Sequence, residues 1–271
     1  FLVGSAEVFL VNDNEQRDGV DLDRAFARWL PVPGFDATLG KEELPLALSP
    51  LLWDGDNRPI GLGLRHRRPL RAYDTLALAA GAWAPDDRFE DDSRLAAVQA
   101  AWRIRDGARL GGEVAFSALF FEELDALAAS PLARTNRRVA GRFVSDYELL
   151  DLRLGLRLPA GSGTVELAWD GIENLGAADA ERAGRAEATF RARPEGGFET
   201  GAAAQRIEAD AVLAAFNSDD WWFHSASRGG SAWAGWVFPR DLALRAAFFS
   251  ERRDDQQRWT ERFLLDLTWE F

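Results

Sequence analysis

The side chains able to do bond chemistry are few. The chain has two histidines and no cysteine, so thiolate nucleophiles, thiolate metal sites and disulfides are excluded, and a hydroxyl nucleophile would need His66 or His224 as its base. His66 stands beside Arg65, Arg67 and Arg68 with no serine nearby. His224 is followed by Ser225 and Ser227 and preceded by Asp219 and Asp220. That order would allow a Ser-His-Asp set, although an exposed loop histidine is the plainer reading. Carboxylates are abundant without forming an acid/base couple, and Asp86, Asp87, Glu90, Asp91 and Asp92 read as one solvated run. Asp54, Asp56 and Asn57 have the spacing that opens a calcium loop, but no bidentate Glu closes it, so turn chemistry accounts for them. No enzyme activity and no cofactor are expected.

What remains is charge at alternating positions. With apolar neighbours turned the other way, Arg24, Arg28, Asp36, Arg65, Arg103, Arg105, Glu113, Asp151, Arg153, Arg157, Glu166, Asp170, Arg185, Glu187, Arg191 and Asp266 share one face. A wall of both signs in contact with water sets the field felt by small polar solutes or ions. The same residues could brace the wall as cross-strand ion pairs. The formal net charge of −12 lacks the basic face that phosphate binding needs, so nucleic acid is not a partner.

Such a wall requires strands. Leu150, Leu152, Leu154, Leu156 and Leu158 alternate with Asp151, Arg153, Gly155 and Arg157, and Phe263, Leu265, Leu267, Trp269 and Phe271 repeat the pattern at the end of the chain. Short links with turn chemistry, such as Pro31-Val32-Pro33-Gly34 and Ala160-Gly161-Ser162-Gly163, alternate with longer polar links at 43–57, 122–138 and 209–230. The rhythm predicts about 14 strands in one domain, 1–271: 1–11, 20–30, 35–42, 58–66, 71–84, 93–105, 108–121, 139–159, 164–174, 183–193, 198–208, 231–238, 241–251 and 258–271. No stretch approaches the ~18 apolar residues of a membrane-spanning helix. Arginines and carboxylates on strand after strand would be costly at the centre of a packed sandwich core. Turned inside out the cost disappears, because charges then line water and apolar residues meet lipid. The expected fold is therefore all-β: a transmembrane, antiparallel, up-and-down β-barrel, with room for 16 strands in a longer parent. Trp29, Trp83, Trp102, Trp169, Trp236 and Trp269 near strand ends would form its aromatic girdle.

Three segments resemble a porin family of Gram-negative outer membranes, related in style to phosphate-selective porins. They are TLGKEELPLALSPLLWDGDNRPIGLGLRH at 38–66, DAVLAAFNSDD at 210–220, and the terminal TERFLLDLTWEF. The last, with Phe263, Leu265, Leu267, Trp269 and Phe271, looks like the signal read by the barrel-assembly machinery. That family usually has a longer N-terminal portion, and a glycine-richer stretch where this chain has Trp221, Trp222, Phe223 and His224. The resemblance implies a channel in the bacterial outer membrane, in contact with its lipid, passing small hydrophilic solutes or ions, with a homotrimer among the open assemblies. A substrate-specific or hydrophobic-solute transporter, or a non-conducting structural barrel, is the alternative. The 43–57 link carries Leu44, Leu46, Leu48, Leu51, Leu52 and Trp53, an apolar load that an exposed loop avoids. It is expected to fold into the barrel as a constriction loop, placing Trp53, Asp54 and Asp56 beside the path.

Overall fold

The computed structural model describes residues 2–13, 17–85, 93–106, 110–192, 197–238 and 242–269, with backbone alone at 3–13, 17–22, 105–106 and 269. Its sheet contains 14 antiparallel strands, each paired with its neighbour in sequence order. They are β1 (Leu2–Asp13), β2 (Arg17–Trp29), β3 (Phe35–Lys41), β4 (Ile60–Pro69), β5 (Asp74–Ala84), β6 (Arg94–Asp106), β7 (Leu110–Glu122), β10 (Tyr147–Ala160), β11 (Gly163–Asn174), β12 (Arg182–Arg191), β13 (Gly197–Ile207), β14 (Ser227–Phe238), β15 (Leu242–Arg253) and β16 (Thr260–Trp269). Between β7 and β10 lie α1 (Asp125–Ala129), a 3-10 turn (Pro131–Ala133) and a small hairpin of β8 (Arg138–Val139) and β9 (Arg142–Phe143). Among the described residues β1 and β16 are not paired with each other and form the two edges of the sheet.

The strand expected at 139–159 starts only at Tyr147, because 138–143 closes its own two-stranded hairpin instead of joining the sheet. Conversely, β14 starts at Ser227, inside the expected 209–230 link. The Ala160↔Gly163 pair leaves two residues to reverse the chain, and Gly161 supplies the positive φ (60°) that such a turn needs.

The two sheet faces differ as the alternation requires. Leu152, Leu154 and Leu156 of β10 are exposed on one side, while Asp151, next to Leu152, is fully buried on the other. Val98, Trp102, Val114, Phe116, Phe120, Leu167, Phe248, Phe263, Leu265 and Leu267 extend the exposed apolar surface around the sheet. Water would penalise so continuous a belt, and hydrocarbon would not. Trp29, Trp102, Trp169 and Trp236 stand on this outer face, while the Trp269 side chain and all of Phe271 lie outside the described residues. Trp83 is a correction: it is only 6% exposed and turns inward. Its ring covers Gly61 and Gly81, where an added Cβ would stand 2.6 Å and 2.4 Å from ring atoms. Nearness to a strand end therefore misplaced Trp83, and the glycine opposite it (Gly61↔Trp83) is what admits the indole to the inner face.

Candidate functional site

The inner face is layered along the strands. At the strand ends that carry the long loops, Trp83, Leu95, Ala97, Leu119, Phe121, Tyr147, Leu149, Ile172, Ala183 and Ile207 face inward and join one buried cluster. Three loops fill the space over them. Leu51, Leu52 and Trp53 enter from the β3–β4 loop, Leu127 from the β7–β10 loop, and Ala211, Val212, Leu213 and Phe216 from the β13–β14 loop. Trp53 stacks on Phe216 (5.5 Å between centroids), which stacks on Phe121 of the wall (5.8 Å). Backbone bonds tie the loops together, with Asp54 N donating to Phe216 O (2.7 Å) and Ser218 N to Pro50 O (2.9 Å). The 38–66 and 210–220 segments, far apart in sequence, thus meet in this loop body.

Polar hubs inside it escaped the sequence reading. The Asn136 amide donates to Ala209 O and Val212 O (2.9 and 2.8 Å) and accepts from Ala214 N (2.8 Å). Asn174 donates to Asp146 O and Asp210 O. Asp210, 0% exposed, accepts from Arg137 and Ser145. These ion pairs and hydrogen bonds, Asp210 foremost, raise the Arg137 pKa. Glu251 accepts the backbone N–H groups of Trp222 and Phe223 (3.0 and 3.1 Å). An isolated Asn or Asp carries no such signal in sequence, since its partners are atoms of segments that only folding brings near.

His224 belongs to the same body. Its ring lies with Nδ1 2.9 Å from Asn217 Oδ1 and Nε2 2.8 Å from an Arg134 nitrogen. Burial first, then the charges of Arg134 and Arg262, hold its pKa down to about 3. Ser225 pairs with Thr135 (2.8 Å) and Ser227 with Phe223 O, so neither hydroxyl is directed at the imidazole. Asp54 accepts from Asp56 N (3.0 Å) and Asp219 N (3.1 Å), making it a joint between two loops. Burial, followed by the Asp54 charge, raises the Asp219 pKa.

Below the loop body comes a belt of buried polar side chains: Gln99, Ser117, Asp151, Asp170, Arg185, Gln205 and Ser231. Toward the short turns the face becomes charged and partly open. Arg65 pairs with Asp36 (2.8 Å) and Arg103 with Glu113 (2.9 Å). Glu166 is held by Arg157 (2.5 Å) and by Arg191 (2.5 Å), and Arg191 also reaches Glu199 (2.6 Å). Arg185 pairs with Glu187 and bonds Gln205. Arg153 lies 3.8 Å from Asp170. Arg24 and Arg28 reach Glu42 near the root of the β3–β4 loop. On the edge strand β16, exposed Asp266 is registered opposite Arg245. The Arg105 side chain lies outside the described residues.

Most of these pairs join directly opposed residues, as in Arg103↔Glu113, Arg157↔Glu166 and Arg191↔Glu199. The structure thus puts the charged residues on one face and pairs most of them. A cleft of about 80 Å³ lies where β3 and β4 meet the loop root, with Arg28, Asp36, Thr38, Glu42, Arg65 and Trp83 in its lining.

An outward apolar belt, an inward charged wall and loops folded into the interior are the parts of one architecture. The fold is that of an outer-membrane β-barrel. The chain superposes on the crystal structure of Pseudomonas aeruginosa OccK11 (OpdR) with a TM-score of 0.53 and 14% identity, over 92% of this chain and 70% of that one. It superposes equally well, at 0.53 and 12% identity, on the outer membrane channel DcaP of Acinetobacter baumannii, over 98% of this chain and 79% of that one. At these identities the likeness is one of fold. No protein-family model and no curated protein matches the chain.

Proposed function

We propose that this barrel is a porin of a bacterial outer membrane, a channel through which small hydrophilic solutes or ions diffuse passively. The observation that carries the reading is the half-exposed ladder of Arg–carboxylate pairs on the face opposite the apolar belt. Arg103 and Glu113 keep 33% and 27% of their side-chain surface open, and charged side chains that keep access to water in a barrel interior line a route for polar solutes. In this reading Arg28, Asp36, Arg65, Arg103, Glu113, Arg157, Glu166 and Arg191 belong to the pore wall, and the β3–β4 loop with Trp53, Asp54 and Asp56 narrows it. The terminal strand would be the segment handled by the barrel-assembly machinery, and a homotrimer is the assembly proposed. A channel selective for particular substrates is the second reading, favoured by the loop body that fills the loop-side half of the interior.

Planar-bilayer recording tests the proposal. Ohmic single-channel steps in salt are the expected result. A barrel that is heat-modifiable on a gel and folded, yet silent, would overturn the porin reading in favour of a structural role.

A further inference from the structure

The inward loop is attached to the wall by two chains of polar side chains, each starting at a buried carboxylate. The first begins at Asp151, 0% exposed, whose Oδ2 accepts from Ser117 Oγ (3.2 Å). With its proton committed to Asp151, the hydroxyl can only accept from the Gln99 amide, and Gln99 Nε2 donates to it (2.9 Å). This fixes which way the amide faces. Gln99 then grips a single residue of the loop twice: Ala47 N donates to Oε1 (2.9 Å) and Nε2 donates to Ala47 O (3.1 Å). The second chain begins at Asp170, 3% exposed, with Arg153 Nε 3.8 Å away, and Arg153 Nη1 donates to Leu48 O (2.7 Å). Two chains from different strands therefore converge on consecutive loop residues.

Elsewhere the loop is held by apolar packing of Leu51, Leu52 and Trp53, by ion pairs of Glu42 with Arg24 and Arg28 at its root, and by bonds from Asp54 and Pro50 to the β13–β14 loop. Apolar contact is non-directional and lets a loop shift, whereas a two-point bond to one residue's backbone fixes both distance and angle. We infer that Gln99 and Arg153 are positioning residues that set where the β3–β4 loop stands across the lumen, and hence the width and steadiness of the path. Ser117 and Asp151 act one step behind them, by orienting the Gln99 amide. The inference rests on the porin reading, and it identifies wall residues whose role is to hold the constriction, not to contact solute.

The test combines bilayer recording with amide hydrogen exchange of the loop peptide around Ala47 and Leu48, in the full chain. Gln99→Ala and Arg153→Ala should each speed exchange there by about tenfold or more, with the barrel strands unchanged. They should also replace a steady open level by flicker between levels. Arg153→Lys, which keeps one donor for Leu48 O, should restore most of the steadiness. Ser117→Ala should act in the same direction as Gln99→Ala and add little when the two are combined, as expected of members of one chain. Unchanged exchange at Ala47 in Gln99→Ala would overturn the inference, as would acceleration spread equally over the strands or additive effects of Ser117→Ala and Gln99→Ala. A wild-type barrel that is silent in bilayers but shows the local exchange pattern and its rescue would sink the porin reading and leave the positioning role standing.

Discussion

The two halves of the interior use opposite means of filling space. On the loop side, inward positions are apolar and the chain covers them with itself, stacking Phe216 between Trp53 and Phe121. On the turn side, inward positions are charged, and they are satisfied by neighbours across the strands while water keeps access. Both halves come from the same two-residue alternation, so alternation does not decide between a packed interior and a wet one. What decides is the length of the adjoining link. A short turn has no side chains to send inward, whereas the 43–57, 122–138 and 209–230 regions have many.

That contrast predicts a graded series of effects. The largest belongs to the packed half: Phe216→Ala removes a ring held between two others and should cost the loop body about 3–5 kcal/mol. Hydrogen exchange of the 208–226 peptide would reveal this, and protection equal to wild type would mean the loops rest on the wall without being packed. Next is the outer wall of the wet half. Leu154, 40% exposed on the outer face, should resist replacement by arginine at about 2–4 kcal/mol in lipid or detergent. Gly155→Ser, one residue away on the inner face, should cost far less, and equal costs measured by denaturant titration would mean the two faces are interchanged.

A smaller effect concerns the protonation of the loop body. With the His224 pKa at about 3 against an ordinary 6.5, the unfolded chain takes up a proton that the folded loop refuses. Stability is therefore full above pH 6.5 and declines as pH falls toward 3, by about 1–2 kcal/mol on reaching pH 5. Limited proteolysis of the loops across pH 7 to 5 should show this decline, and His224→Gln should flatten it. The smallest effect on stability, and the clearest on transport, is expected for Arg191→Gln in the wet half. Its pairs with Glu166 and Glu199 are more than one-third exposed on the arginine side, so the loss should be about 0–1 kcal/mol. Removing one positive charge, which frees Glu199 and leaves Glu166 with Arg157 alone, should nevertheless move the reversal potential in a salt gradient toward cation preference. A large loss of stability with unchanged selectivity would show that the ladder braces the wall and does not face the path.

The strand count, the outward apolar face and the inward charged set were legible in the sequence because alternation is a local property: each residue's face follows from its neighbours. The ion pairs across short hairpins were nearly legible too. Arg103 and Glu113 stand equidistant from the centre of their turn, as do Arg157 and Glu166, so a tight turn sets their register. Pairs across long loops, such as Asp36 with Arg65, had no such ruler. The apolar load of 43–57 announced that this loop had to be buried, but not that Phe216, more than 150 positions on, would receive Trp53. Trp83, five positions from the outward Leu78, falls on the inner face by that same alternation, which its place near a strand end masked; that Gly61 lies opposite and makes room for its ring appears only in the sheet. Asn136, Asn174, Asp210 and Glu251 were silent because each bonds backbone atoms that only folding brings within reach. Faces follow from period, which a single strand carries within itself; contacts follow from register and loop path, which exist only once the sheet has assembled.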